Sequence, residues 1–260
     1  MSEPALTVET PPSFVLSEEA HKAAYESGFR IPLETRNGWI GYRSTTAQGE
    51  VWIARSTAPG QAWLLSLTHT GVIAEIRLPT AQVPNAPGVA SYAFPILGDL
   101  YVALDRAYKL GVSLPDAPLA VFEKATADLP RSTEVERLVI QRKGQDIFRD
   151  ALMDYWNCRC PMTGITEPAL LRASHIVAWA DCETDALRLN VHNGLLLSAL
   201  WDAAFDAGLV SFSDTGEVLR SPALSDAAAS ALDLETNLFL TGLTPEHAPN
   251  LARHRARHGF

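Results

Sequence analysis

Between residues 38 and 78 the chain carries four short stretches, "GWIGYRS", "EVWIARS", "AWLLSLTH" and "GVIAEIRL", with "TAQG", "APG" and "TG" between them. β-Branched and aromatic side chains bounded by Gly- and Pro-containing turns are the pattern of consecutive strands. Connections this short cannot hold a crossover helix, so the strands are expected in antiparallel succession. That block rules out an all-helical chain and sets the frame for everything before and after it.

Helical signals flank it. "LSEEAHKAAYESG" offers Ser17 as an N-cap and Gly28 as a stop, and "PILGDLYVALDRAYKLG" places apolar residues at 100, 103, 104, 107 and 110. The predicted organisation is a disordered lead-in over 1–13, an α+β domain over 14–115, a helical connector over 116–156 and a second domain over 157–260. The connector contains a helix at about 117–128 and a longer one from Ser132 to about Trp156, with a bend expected at Gly144. The fold class is therefore α+β. Apolar residues make up 47% of 260, which suffices for sizeable cores.

Runs such as "GLLLSALW" fall far short of the ~20 residues of a membrane span, and the start "MSEPALTVETPPS" has no basic and apolar leader pattern, so no membrane partner and a cytoplasmic location are expected. The chain holds only Cys158, Cys160 and Cys182, with no C-x-x-C pair. Neither a disulfide framework nor a four-cysteine zinc site can be built from them.

A net charge of −9 argues against coating nucleic acid by bulk electrostatics. Both halves are mildly acidic, with 9 basic and 13 acidic residues in 1–129 and 12 and 17 in 130–260. Local clusters remain: Arg137, Arg142, Lys143 and Arg149 in one helix, and Arg253, Arg255 and Arg257 at the end. Each is either a solvated face or a set of phosphate contacts.

The polar residues in apolar surroundings carry the chemistry. "ASHIVAW" delivers His175 at the end of a strand-like run; "ADCETDALRLNVH" crosses back; "NGLLLS" opens a second strand at Asn193; and "ALWDAAFDAG" is a helix stopped at Gly208. In a strand, loop, strand, helix unit His175 and Asn193 can meet on paired strands, while Asp202 and Asp206, four apart, share a helix face. His192 points to the opposite face from Asn193 and is read as structural or substrate-facing. Taken singly, His175 could be a structural histidine, Asn193 a turn residue, and Asp202 and Asp206 helix-solvating groups.

Together, "CPMTG", "ASHI", "NGLLL" and the aspartate nine residues beyond Asn193 resemble the HNH endonucleases of ββα-metal fold, over about Asn157 to Ser213. The resemblance implies His175 as general base, Asn193 as the motif asparagine with a catalytic or metal-ligating part, and Asp202 as metal ligand. Many relatives carry Asp or His where this chain has Ser174, and two C-x-x-C pairs of which only Cys160 remains. The pattern resembles a restriction-endonuclease-like branch without structural zinc, and "HRARHGF" is similar to its usual finish.

The chemistry suits those residue types. Phosphodiester hydrolysis needs an activated water, charge relief at the phosphoryl oxygens and a stabilised leaving oxygen. A neutral histidine supplies the first, and one divalent cation, Mg²⁺ or Mn²⁺, held by hard oxygen ligands supplies the others. Asn193 either ligates through its amide oxygen or holds the hairpin that aims His175. Arg172 and Arg188 flank the loop as candidate phosphate clamps. The expected protein is a DNA endonuclease of restriction or phage defence. The alternatives are a non-catalytic nucleic-acid-binding protein on a degenerate scaffold, or a toxin nuclease directed at RNA. Double-strand cleavage from one site calls for a homodimer or sequential nicking. Trp39, Tyr42, Trp52 and Trp63 decorate the first domain as core residues or as platforms for stacking a base.

Overall fold

The structure is a computed structural model that describes residues 7–58, 60, 62–130, 132–234, 236 and 239–260. Residues 1–6 of the expected lead-in lie outside the described residues. Its remainder is tied to the sheet: Val8 bridges Ser56, and the Glu9 N–H donates to the Arg55 carbonyl at 2.9 Å. The chain divides into two compact units, 1–112 and 113–260.

The first unit begins with helix α1 (Phe14–Glu26). Its N-cap is Ser13, whose hydroxyl accepts the Leu16 N–H; the expected cap, Ser17, sits one turn inside and donates back to the Ser13 carbonyl. Five strands follow in a sheet whose order matches the sequence: β1 (Ile31–Pro32), β2 (Ile40–Arg43), β3 (Glu50–Arg55), β4 (Trp63–Leu67) and, after helix α2 (Thr70–Ile76), β5 (Ala90–Phe94). Every pairing is antiparallel. Helix α3 (Leu97–Ser113) closes the unit with Leu100, Ala103, Leu104, Ala107 and Leu110 buried, at the spacing its sequence predicts.

One expected strand is a helix. "GVIAEIRL" alternates well enough for a strand, but its apolar residues at 72 and 76 also share a helix face, and periodicity over so few residues does not decide. The His69 imidazole Nδ1 accepts the Val72 N–H, which caps α2, and the strand that pairs with β4 comes from Ala90–Phe94. The tryptophans belong to the core. Trp39 and Trp52 are fully buried with Ala54 and Leu64, and Trp63 is almost so, which takes these rings away from any stacking partner in solvent.

The second unit consists of α4 (Ala117–Thr126), α5 (Glu134–Tyr155), β6 (Leu171–His175), α6 (Asp185–Arg188), β7 (Gly194–Ser198), α7 (Ala199–Asp206), β8 (Val210–Phe212), β9 (Val218–Arg220), α8 (Asp226–Ala231) and α9 (Ala248–His258). Strands β6 and β7 form an antiparallel hairpin, as do β8 and β9. Helix α5 starts at a capping box, with the Thr133 hydroxyl on the Glu136 N–H and the Glu136 carboxylate returning to the Thr133 N–H. It packs on the β6–β7 hairpin, with the buried Phe148 and Leu152 against Gly194, so the helix read as a connector forms one wall of this unit's core. Gly144 has a packing reason: a Cβ there would lie 2.4 Å from the Trp179 ring.

Candidate active site

The β6–β7 hairpin sets the first two groups. Its register pairs Ser174 with Leu195 and His175 with Gly194. Gly194 is required by a close approach, because a Cβ at that position would stand 2.5 Å from the Phe148 ring. That ring, delivered by α5, stacks on the His175 imidazole at 3.8 Å between centroids, and Trp179 meets the same imidazole edge-on at 5.6 Å.

His175 is thus boxed between aromatics, and its hydrogen bonding assigns its tautomer. Nε2 lies 2.9 Å from the Arg188 carbonyl oxygen. A carbonyl only accepts, so Nε2 carries the hydrogen and Nδ1 keeps the lone pair. Burial pushes the imidazole pKa down to about 4, against a smaller upward pull from the Arg188 carbonyl. At neutral pH the ring is uncharged.

Asn193 is sealed away, with 0% of its surface exposed. Its Oδ1 accepts the Val177 N–H at 2.8 Å, and Nδ2 faces the carbonyls of Val177 and Leu187, each at 3.2 Å, and Cys182 Sγ at 3.3 Å. Of the two roles open to it, the geometry fits the holding of the hairpin and its crossing loop. The buried backbone groups of the loop have to be paired, and this side chain pairs them.

Arg188 is likewise turned inward. Its Nε donates to the Trp179 carbonyl at 3.2 Å, Nη2 donates to the Cys182 carbonyl, and Nη1 pairs with Asp185 at 2.8 Å. Expected as a phosphate clamp, it spends its donors on folding the loop that presents its own carbonyl to His175. Arg172 is exposed, donates to the Ala169 and Leu171 carbonyls, and sits close enough to Asp202 to stabilise its charge.

Asp202 and Asp206 come from one face of α7, as their spacing predicts. Burial raises the pKa of both carboxyls, and the charge of Asp202 raises Asp206 further. The buried Ser174 hydroxyl faces the pair, close enough to favour both ionised forms, yet closes no hydrogen bond of normal geometry. An orphaned buried hydroxyl beside a partly buried and an exposed carboxylate is a set of hard oxygen donors suited to Mg²⁺ or Mn²⁺. Asp206, a helix-solvating group when taken singly, stands four residues from Asp202, the spacing that puts both on one helix face.

A cleft of about 340 Å³ opens beside these residues, lined by Ser174, His175, Trp179 and Asp206 together with His254, Arg257 and His258 of α9. Helix α9 is fixed by His254, which stacks on Phe205 at 3.8 Å, bonds Ser211 Oγ at 2.9 Å and places Nε2 3.1 Å from the Phe205 carbonyl. His192 lies elsewhere, buried against Tyr155 and His247. The thiols serve the backbone: Cys160 Sγ accepts the Ser198 N–H at 3.2 Å, and Cys182 donates to the Val177 carbonyl at 3.3 Å. A family model described as HNH endonuclease matches residues 160–213, from the cysteine turn through β8. No curated protein matches the chain.

Proposed function

From the HNH domain carried by residues 160–213, we propose that this protein is a metal-dependent endonuclease that hydrolyses DNA phosphodiester bonds in restriction or phage defence. The observation that carries the reading is His175: an uncharged imidazole with a free Nδ1, clamped by Phe148 and the Arg188 carbonyl, in the same cleft as Asp206. In this reading Nδ1 takes a proton from the attacking water. The Arg188 carbonyl then faces the Nε2–H of an imidazolium, a charge-assisted hydrogen bond that strengthens as the proton arrives.

Asp202, Asp206 and the Ser174 hydroxyl would hold one divalent cation, Mg²⁺ or Mn²⁺. Bound there, such an ion supplies charge relief to the phosphoryl oxygens and to the leaving 3′ oxygen. Asp206 offsets the loss of a stronger ligand at Ser174. Arg172 stays beside Asp202 as a phosphate contact at the surface. The first unit is assigned to target choice, through surface residues and not through its buried tryptophans. Among the described residues no helix is long and apolar enough to cross a membrane, and a cytoplasmic site of action is where invading DNA is met.

Incubation of supercoiled plasmid with Mg²⁺ or Mn²⁺, beside a chelator control and an RNA substrate, tests this. Cation-dependent nicking of plasmid alone is the expected result. Cleavage of RNA alone redirects the activity to a toxin nuclease. DNA binding without nicking would support a non-catalytic protein, the reading that Ser174 favours.

A further inference from the structure

The three arginines of α9 have different surroundings. Arg253 is exposed. Arg255 is an anchor, donating to the Phe212 carbonyl at 2.7 Å and to Asp214 at 2.7 Å. Arg257 lines the cleft that holds His175, Ser174 and Asp206, and its guanidinium pairs with Asp181 on the crossing loop. Both members of that pair are about half exposed, at 55% and 50%. An ion pair so exposed contributes little to stability and exchanges readily for another anion.

The setting is built. His254 locks α9 to Phe205 and Ser211, and Gly208 makes room for His258, since a Cβ there would lie 2.1 Å from the His258 ring. Arg188 is consumed by its own loop and Arg172 is not part of the cleft wall, so among the described residues Arg257 is the guanidinium that lines it. A phosphodiester entering a cleft that also contains a carboxylate requires a fixed positive charge, and a planar guanidinium suits its oxygens. Helix α9 lies beyond the residues that match the family model.

We infer that Arg257 is a phosphate-binding residue of the nuclease centre, held by Asp181 in the free protein and transferred to the DNA backbone when DNA occupies the cleft. The inference rests on the nuclease reading above for the nature of the anion. Asp181 is then a competitor, and the exchange keeps Arg257 extended toward the cleft at small cost.

The test measures binding of a labelled random-sequence DNA duplex by fluorescence anisotropy across a salt series in Mg²⁺, with Arg257→Ala, Arg257→Lys, Asp181→Asn and the double variant. All are made in a His175→Ala background so that binding is read without cleavage. Loss of one charge-assisted phosphate contact predicts about tenfold weaker binding for Arg257→Ala and a log-log salt slope shallower by about 0.9. Arg257→Lys keeps the slope. Asp181→Asn binds more tightly, and has no effect once Arg257 is Ala. An unchanged affinity and slope in Arg257→Ala overturns the assignment. So does an Asp181→Asn variant that loses binding and melting temperature together with Arg257→Ala, because the pair is then only a structural tie. Plasmid nicking by the unaltered protein, run in parallel, separates the two ideas. Nicking with a normal Arg257→Ala slope sinks the Arg257 assignment alone. No nicking with a reduced slope sinks the nuclease reading and leaves the phosphate contact standing. A duplex that is not bound at all sinks both.

Discussion

The imidazole of His175 lies face to face on the phenyl ring of Phe148, 3.8 Å between centroids and 19° between planes. A residue on the long helix α5, outside the segment that matches the family model, therefore sets the plane of the proposed base. His175→Ala is expected to lower cleavage by ~10²- to 10⁴-fold with folding and DNA affinity retained, since a general base contributes to rate and little to binding. Phe148→Leu should fold, with a lower single-turnover rate and an unaltered Kd for DNA. Phe148→Ala, by contrast, should lose ~3–5 kcal/mol of stability, read by denaturant unfolding.

Asp202 and Asp206 share one face of α7, near enough that the charge of Asp202 raises the Asp206 carboxyl, and Ser174 lies beside both. Spacing relative to Asn193 singled out Asp202 alone. The expected outcome is that Asp202→Asn and Asp206→Asn each weaken Mn²⁺ binding by calorimetric titration, to a similar degree, and each depress nicking. Both carboxyls have raised pKa values, so Mn²⁺ affinity should climb with pH as their protons leave. An Asp206→Asn protein that binds Mn²⁺ like the parent would return Asp206 to a structural part.

Asn193 gives a sharp discrimination between holding and ligating. Its deletion strands the Val177 N–H in the interior, a loss of ~1–3 kcal/mol for each buried group left unpaired. Asn193→Ala is accordingly expected to lower the unfolding free energy and cleavage together, while Mn²⁺ affinity of the folded fraction stays as it was. A selective loss of Mn²⁺ binding at full stability would favour the ligand role.

Acid should weaken the second unit through two histidines. His175 and His254 are both lowered to about 4 in the folded protein, chiefly by burial, against ~6.5 when unfolded. Between those values the unfolded chain binds more protons, so this stabilisation is complete above about pH 6.5 and is lost as pH falls toward 4. Each histidine contributes a slope of up to ~1.4 kcal/mol per pH unit. The raised carboxyls of Asp202 and Asp206 pull the opposite way at the acid end, so the diagnostic quantity is a difference. Urea unfolding from pH 7 to 4.5 should show a shallower decline for His254→Gln than for the unaltered protein.

Much of this molecule is legible residue by residue, because the signals are local. The apolar spacing of α3, the Ser-Thr start and acidic first turn of α5, the hairpin of "ASHI" with "NGLLL", and the common face of Asp202 and Asp206 all follow from periods of 3.6 and 2 and from capping chemistry. Tertiary structure decided what those signals leave degenerate. "GVIAEIRL" satisfied both periods, and the His69 cap together with the pairing of Ala90–Phe94 on β4 made it a helix. Asn193 and Arg188 read as chemical groups in the sequence, but the buried loop between the strands had backbone groups to satisfy, and both side chains were drawn into that task. Arg257 enters the cleft from a helix far along the chain from His175, an approach no local pattern encodes. Local propensity determines which elements form; the pairing of buried polar groups and the packing of distant helices determine which side chains remain free to do chemistry.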